Sequence, residues 1–254
     1  MKREEESSGE WFRIAFGSLY PILYPHRDDA AAAREAAEFV ALLGYRDRAT
    51  EVLDLGCGSG RHAEALIGMG LQVWGLDLST ELLARARRRA PLAGRLVRGD
   101  MRALPFSNRF GLVVNLFTSF GYFAADRENV QALREMVRVL QPGGELLIDH
   151  IHRAHLERCL VPEDERRAED CEIHQRRRIS GNRVHKDIAI RWNDGRRQHL
   201  REDVRLFEPE EIAGWATDAG LENVHLFGSF RGEALTADAQ RMILVARKPA
   251  DSRR

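Results

Sequence analysis

Short apolar runs alternate with amphipathic stretches between Glu51 and Asp149. The apolar runs have the length and continuity of strands buried on both faces, and the intervening stretches repeat apolar residues at helical spacing. Helical connections of this kind join parallel strands in one open sheet. The pattern therefore predicts an α/β fold with a doubly wound, mostly parallel sheet. Strands are expected at Val52–Leu55, Val73–Leu76, Leu96–Val97, Leu112–Leu116 and Glu145–Ile148, and helices at Arg61–Met69, Thr80–Arg89 and Glu128–Leu140.

The pattern changes after Asp149, where a polar stretch leads into charged, extended runs. The runs are Glu172–Ile179, Arg183–Trp192 and Arg196–Phe207, and turn residues of hairpin type separate them. We expect these runs to form an antiparallel β segment added to the main sheet after its fifth strand. A helix over Pro209–Ala219 and two closing strands, Leu221–Phe230 and Arg241–Arg247, are predicted to follow.

The charged runs are rich in arginine, which leaves three interpretations open. The side chains can form a solvated face balanced by acids, a lid for an anionic substrate or an oligomer interface. The arginines concerned are Arg176, Arg177, Arg178, Arg183, Arg191, Arg196, Arg197, Arg201 and Arg205.

The N-terminal region begins with a polar tail, residues 1–10, and continues with aromatic residues four or five positions apart. This aromatic stripe indicates a helical segment that either packs on the domain or closes over a ligand as a flap. We divide the chain into a tail and flap (1–45), an α/β core (46–150), an inserted antiparallel segment (151–207) and a C-terminal part that completes the core (208–254). The stripe consists of Trp11, Phe16, Tyr20 and Tyr24.

Composition narrows the class of protein. The 254 residues carry a formal net charge of +0, with 44% hydrophobic and 31% charged residues, which is typical of a globular domain. A dedicated nucleic-acid binder normally carries a basic surplus. Three cysteines without a CxxC pair, and no apolar run near the N-terminus, favour the cytoplasm. We expect a small-molecule partner, no nucleic acid, no membrane, and a monomer or homodimer.

The strongest chemical motif is a glycine-rich loop at the end of the first predicted strand. The sequence Asp54-Leu55-Gly56-Cys57-Gly58-Ser59-Gly60 leads from that strand into a helix. Glycines permit a sharp turn and a close approach to a ligand, and the helix N-terminus favours an anionic group. A dinucleotide fingerprint needs a third glycine at position 61, which is Arg61 here. This departure disfavours a nicotinamide-dependent oxidoreductase.

Two further carboxylates follow the next two strands. Asp77 ends the second strand at about the interval where an acidic residue meets a ribose in βαβ units. By itself Asp77 is also suited to capping the next helix, as is Ser79. Asp100 and Met101 follow the third strand, where a carboxylate and an apolar side chain suit the amino group and the face of adenine.

With these three motifs in order, the chain resembles the class I S-adenosylmethionine-dependent methyltransferases, in particular their small-molecule branch. The resemblance implies a seven-stranded Rossmann-like sheet whose last strand is antiparallel, and S-adenosylmethionine as the methyl donor. It assigns methionine to the glycine loop, ribose to Asp77 and the neighbourhood of the sulfonium to Asn115–Phe117. It also implies that Trp11–Arg27 folds over the donor. The donor-binding residues are then Tyr20, Arg27, Asp54, Gly56, Cys57, Gly58, Gly60, Asp77, Leu78, Asp100, Met101, Asn115 and Leu116.

The acceptor side is expected in the loop Thr118–Phe123, because ligands bind outside the carboxyl ends of parallel strands. The loop lacks the Asn/Asp-Pro-Pro-Tyr/Phe motif of methyltransferases that act on adenine or glutamine. Tyr122, His150 and His152 are the candidate catalytic residues. The two histidines, with His155, leave open a general base, hydrogen bonding at the pocket rim or a metal site, and we expect no metal.

The predicted reaction is an in-line displacement that moves a methyl group to a nitrogen or oxygen of a small acceptor. Alignment can supply on the order of 7–11 kcal/mol of such a barrier, so no single catalytic side chain is expected to be indispensable. Two alternatives remain, an RNA or protein methyltransferase and a non-catalytic S-adenosylmethionine-binding protein. Cys57 is interpreted as a packing residue of the loop rather than a nucleophile.

Overall fold

The computed structural model describes residues 10–17, 19–25, 27–44 and 50–250. Most of the predicted polar tail, residues 1–9, lies outside the described residues. Two short helices, α1 (Phe12–Ala15) and α2 (Tyr20–Leu23), precede the longer α3 (Asp29–Leu42). The side chain of Asp28 caps α3 by accepting a hydrogen bond from the backbone of Ala31.

Seven strands form the main sheet in the order β10-β11-β5-β4-β1-β2-β3. Strands β1 to β5 pair in parallel, and β11 runs antiparallel to both β5 and β10. The predicted doubly wound, seven-stranded sheet with an antiparallel last strand is therefore confirmed. The strands are β1 (Glu51–Leu55), β2 (Gln72–Asp77), β3 (Leu96–Arg98), β4 (Phe110–Asn115), β5 (Leu140–Ile151), β10 (Glu222–Phe227) and β11 (Arg241–Arg247).

Helices cover both faces of this sheet. Strand β4 is buried along its whole length, as expected of a central strand in such a sheet. Burial of its apolar side chains against the helices on both sides stabilises the core and fixes the carboxyl ends of the strands. The helices are α4 (Arg61–Gly68), α5 (Thr80–Ala86), α6 (Asp126–Val139), α7 (Arg153–Cys159) and α8 (Pro209–Asp218), with a 3₁₀ turn at Ala90–Leu92.

The charged runs after β5 form a separate antiparallel sheet, in the order β6-β7-β8-β9. The expectation that they extend the main sheet was wrong, and β6 was not anticipated at all. The reason is that one face of this second sheet has its own apolar core, which includes Ile173 and Ile190 and packs on Leu19 and Leu23 of the N-terminal segment. The strands are β6 (Glu163–Ala168), β7 (Cys171–Ser180), β8 (Arg183–Trp192) and β9 (Arg197–Arg205).

The arginines of the second sheet fall into two groups. Arg176 and Arg191 are exposed and pair with glutamates, as the solvated-face interpretation expects. Arg177 instead lies partly buried and pairs with Asp164 at 2.5 Å. Arg205 is 4% exposed and pairs with acids of α6 and α8, so it joins the second sheet to the main domain.

Among the residues described, no helix is long and apolar enough to cross a bilayer.

Candidate active site

A cavity of about 620 Å³ opens at the carboxyl ends of β1, β2 and β4. The glycine loop forms its floor, and residues of α1 and α2 form part of its wall. This main cavity is large enough for a nucleoside-sized ligand together with a small second molecule. The sequence-predicted residues that line it are Tyr20, Arg27, Asp54, Gly56, Cys57, Gly58, Asp77, Leu78, Asp100, Met101, Leu116 and Tyr122.

The glycine loop turns sharply as it leaves β1. Gly56 and Gly58 have φ angles of 79° and 55°, a region that side-chain-bearing residues rarely adopt. A Cβ on Gly56 would lie 3.0 Å from the Cβ of Ser119, so the loop and the segment after β4 can approach only with glycine at this position. Gly60 does not line the main cavity, because its space is filled by Leu92 and Ala86.

Asp77 is hydrogen-bonded to both the glycine loop and the residue that precedes the next helix. Its Oδ2 accepts a hydrogen bond from the backbone of Gly58 and its Oδ1 one from Ser79, both at 2.8 Å. Ser79, not Asp77, caps α5, since its hydroxyl accepts from the backbone of Leu82. Burial raises the pKa of Asp77. Each carboxylate oxygen retains a lone pair, so the group can still accept hydrogen bonds from a ligand.

Asp100 also lines the main cavity and forms a hydrogen-bond network with Arg102. The Arg102 guanidinium donates to Oδ2 of Asp100 at 2.7 Å and also reaches Glu10 and Glu128. Burial acts to raise the pKa of Asp100, but its hydrogen bonds with Arg102 outweigh burial and lower it. Asp100 is therefore a fixed, ionised acceptor beside Met101.

The N-terminal segment both packs on the domain and lines the main cavity, so the two interpretations of the aromatic stripe are compatible. The ring of Tyr122 lies 4.9 Å from that of Trp11 and 5.4 Å from that of Phe16. The Arg27 guanidinium donates to the hydroxyl of Tyr20 at 2.5 Å. These contacts gather an arginine and two phenols in one wall of the main cavity.

Asp54 and Cys57 are buried where β1 meets the loop. Asp54 is 2% exposed, and its Oδ2 has no hydrogen-bond partner among the described residues. Burial, and then the nearby charge of Asp77, raise the pKa of Asp54 to about 7. Burial also raises the pKa of the Cys57 thiol, which disfavours the thiolate that a nucleophile requires.

Asn115 lies outside the wall of the main cavity. Its amide donates to the carbonyl of Leu55 at 2.9 Å and so joins the ends of β4 and β1. The next residue, Leu116, does line the main cavity. Asn115 is thus placed to hold the site together rather than to contact a ligand.

Neither candidate histidine lines the main cavity, whereas Tyr122 does. His150 is 1% exposed, its Nδ1 lies 3.0 Å from the carbonyl of Ile151, and burial lowers its pKa to about 4. His152 is 4% exposed and hydrogen-bonds the carbonyl of Ala239 at 2.8 Å. Within the described ranges, no group of three or more histidine, cysteine or carboxylate side chains is arranged to hold a metal ion.

Several residues of the main cavity were missed by the sequence analysis. Phe117 and Ser119 are not among these, since both lie in the ranges expected near the sulfonium and the acceptor, and both line the main cavity. Gln198 comes from β9, and Arg61 begins α4. No local pattern links Gln198 to the site, because only the docking of the second sheet brings it there.

Comparison with known proteins identifies the domain. Residues 52–144 match the family described as a methyltransferase domain. Over 139 residues, the chain is 32% identical to a dTDP-3-amino-3,4,6-trideoxy-alpha-D-glucopyranose N,N-dimethyltransferase of Streptomyces venezuelae, covering 54% of this chain and 58% of that protein. Over 117 residues, it is 38% identical to a dTDP-3-amino-3,6-dideoxy-alpha-D-glucopyranose N,N-dimethyltransferase of Streptomyces fradiae, covering 46% of each. The chain thus spans about half the length of these relatives.

A solved structure extends the likeness over most of the chain. The S-adenosylmethionine-bound amino pentose methyltransferase of Micromonospora echinaspora, involved in calicheamicin biosynthesis, superposes with a TM-score of 0.68 at 27% identity. The superposition covers 91% of this chain and 97% of that one. Residues 52–144 thus form a methyltransferase domain, and most of the chain has the fold of an S-adenosylmethionine-dependent methyltransferase.

Proposed function

We propose that this protein transfers a methyl group from S-adenosylmethionine to an amino nitrogen of a small molecule, with an amino sugar as the favoured acceptor class. One observation carries the proposal: the glycine loop fastened to Asp77 opens into the same cavity as Tyr20 and Tyr122. The names of the two Streptomyces relatives support nitrogen as the acceptor atom and a sugar as its carrier.

Four residues of the main cavity fit S-adenosylmethionine as the donor. The backbone of Gly58 is open toward the cavity, because a Cβ there would meet nothing closer than Leu82 at 3.8 Å. Asp77 keeps acceptor capacity for ribose hydroxyls, and Asp100 keeps it for an adenine amino group. Arg27 provides a cation for the donor's carboxylate. When bound, S-adenosylmethionine supplies a methyl group already activated by its sulfonium.

At the acceptor end, Tyr122 orients the amine rather than taking its proton. Burial raises the pKa of Tyr122 well above its ordinary value, so the phenol stays neutral at physiological pH. A neutral phenol oxygen can accept a hydrogen bond from an amine N–H and so direct the nitrogen lone pair. Orientation of this kind accounts for much of the rate of an activated transfer.

The test is methyl incorporation by the purified protein from donor labelled in its methyl group. We expect label in small amines, amino sugars and nucleotide-linked amino sugars among them, and formation of S-adenosylhomocysteine in equal amount. Separate reactions contain total RNA and a protein extract. Label in either macromolecule and none in amines would contradict the proposal, and donor binding without turnover on any acceptor would favour a binding protein.

The division into four parts, the cytoplasmic location and the monomeric or dimeric state stay predictions.

A further inference from the structure

A second cavity of about 330 Å³ lies beside the main cavity, over the ends of β4 and β5 and the start of β11. Arg27, Arg61 and Phe117 line both cavities. The other polar residues that line the second cavity are Glu35, Thr118, Asp149, His150, Gln240 and Arg241. The two cavities are therefore neighbours across the segment after β4, where the proposed function puts the reacting centre.

Three guanidinium groups converge on one aromatic ring between the cavities. The guanidinium carbons of Arg241, Arg27 and Arg61 lie 4.6, 5.0 and 5.8 Å from the ring centroid of Phe117. Attraction between a cation and the face of a ring holds each group in place. The mutual repulsion of three like charges is a cost that an anionic ligand would relieve.

The backbone that carries this ring is strained and firmly held. Phe117 and Thr118 both adopt left-handed conformations, with φ of 54° and 57°. A side-chain-bearing residue rarely adopts this conformation, so the surrounding structure must compensate for its strain. Asp149 does so, since its side chain accepts from the backbone of Phe117 at 2.8 Å and its carbonyl from that of Thr118 at 2.9 Å.

The charges that line the second cavity do not balance. Arg241 pairs with Asp149 and, at 3.2 Å, with Glu35. Neither Arg27 nor Arg61 pairs with a carboxylate among the residues that the structure describes. Three guanidinium groups thus face two carboxylates, a surplus of one positive charge. In addition, the Nε of Arg27 is buried without a hydrogen-bond partner in the described part of the chain.

We propose that the second cavity binds an anionic group of the acceptor, a carboxylate or a phosphate, with Arg61 as its principal ligand. The inference rests on the proposed function and narrows its substrate class to amines that carry a negative charge. The amine would lie in the main cavity, and the anionic group would reach past Phe117 into the second cavity.

The donor does not use up this positive charge. Its methionine part carries an amino group as well as a carboxylate, so it brings no net negative charge to the site. Arg27 faces both cavities and can serve the donor's carboxylate, while Nη1 of the Arg61 guanidinium donates to the carbonyl of Asp28 at 3.1 Å. Arg61 keeps further N–H groups for a second anion.

The experiment is a calorimetric titration of protein saturated with S-adenosylhomocysteine. Sodium phosphate and sodium acetate are titrated separately at constant ionic strength, so that the two arms distinguish the two kinds of anion. We expect saturable binding of at least one anion while the nucleoside product is bound. In the Arg61→Gln variant the Kd of that anion should rise about tenfold or more, because a charged hydrogen bond is lost.

Two further variants sharpen the result. Gln240→Glu adds a negative charge to the exposed rim of the second cavity without removing a backbone contact, and it should raise the Kd of the anion to a similar extent. Arg191→Gln removes a charge from the far side of the second sheet and should leave the anion's Kd unchanged. The Kd of S-adenosylhomocysteine should stay within about threefold in Arg61→Gln, well below the loss of a charged hydrogen bond.

The proposal is overturned if S-adenosylhomocysteine displaces the anion, or if Arg61→Gln weakens both ligands equally, since Arg61 would then serve the donor's carboxylate. Absence of saturable anion binding overturns it too. If S-adenosylhomocysteine itself does not bind, the proposed function fails. The anion titration of the free protein and its variants then still decides whether the second cavity is an anion site.

Discussion

At the scale of single residues, Asp77 links the sequence motif to the ligand site most directly. Its two carboxylate oxygens accept hydrogen bonds from the glycine loop and from the start of α5, and the residue lines the main cavity. We predict that Asp77→Asn raises the Kd of S-adenosylhomocysteine by about 10- to 100-fold, because a ligand hydrogen bond to a charged carboxylate is lost. Calorimetry measures this, with Asp218→Asn at the end of α8 as the control. An unchanged Kd in Asp77→Asn would contradict the assignment of Asp77 to the ribose.

Substitutions at Tyr122 and His152 test which residue orients the acceptor and which only supports the fold. We predict that Tyr122→Phe lowers kcat by about 10- to 100-fold with donor affinity intact, as expected for one lost orienting hydrogen bond. His152→Gln should leave kcat within about threefold, because His152 faces the carbonyl of Ala239 rather than the main cavity. Steady-state kinetics with an accepted amine as substrate measures kcat for both variants. A loss above about ten-thousandfold at either residue would show an indispensable acid or base instead.

The residues that sequence reasoning placed well are those whose neighbours are set by strand register. Gly58 lies in the loop just after β1, and Asp77 ends the adjacent parallel strand β2, so their contact follows once those strands are assigned. His150, which lines the second cavity but not the main one, shows the opposite case. Its position at the end of β5 suggested the site, but depth within the sheet depends on what packs above it, and Phe207 and Gly121 cover His150.

At the scale of elements, the N-terminal segment is anchored to the second sheet by a buried polar cluster. The Tyr24 hydroxyl donates to Glu202 at 2.5 Å and accepts from Lys186 at 3.1 Å. Lys186 and Glu202 are paired positions on β8 and β9, with their charged atoms 3.6 Å apart. Burial lowers the pKa of Lys186, which is the expected result of removing an ammonium from water. The wall of the main cavity therefore depends on the second sheet.

We predict that Tyr24→Phe lowers the free energy of unfolding by about 1–3 kcal/mol, since two buried charged groups lose a partner. Glu202→Gln should also destabilise the protein. The matched control is Glu165→Gln, an exposed position of β6, where a change within about 0.5 kcal/mol is expected. Urea unfolding measures all three. Equal stability of Tyr24→Phe and the wild type would mean that the anchor is dispensable.

The second sheet also shows where element-level prediction ends. The alternating charges and turns of Cys171–Trp192 were enough to predict strands and hairpins. Whether those strands join the main sheet depends on which apolar face they cover. Ile173 and Ile190 find that cover in Leu19 and Leu23, residues about 150 or more positions earlier in the chain, and long-range packing of this kind has no local signature.

At the scale of the whole molecule, the site is an assembly of distant segments. Arg27, Arg61 and Arg241 surround Phe117 although they come from the N-terminal segment, the start of α4 and the start of β11. Each arginine is unremarkable in its local sequence. The seven-stranded sheet could be predicted because its strands follow one another with regular connections, whereas the second cavity exists only where several separate elements meet, α3, α4, β5 and β11 among them.

The stability of the whole protein should report on Asp54, whose carboxyl has a pKa raised from 3.8 to about 7 by burial and by the charge of Asp77. Between these values the unfolded chain releases the Asp54 proton and the folded protein keeps it, so stability falls as pH rises and levels off above about 7. The loss approaches about 1.4 kcal/mol per pH unit for one proton. We predict this decline in the wild type relative to Asp54→Asn, measured by urea unfolding from pH 5 to 8. Because the donor's amino group is cationic, S-adenosylhomocysteine should bind more tightly above the Asp54 pKa, and this gain should vanish in Asp54→Asn. Parallel stability curves for the two proteins would show that Asp54 is ionised throughout this range.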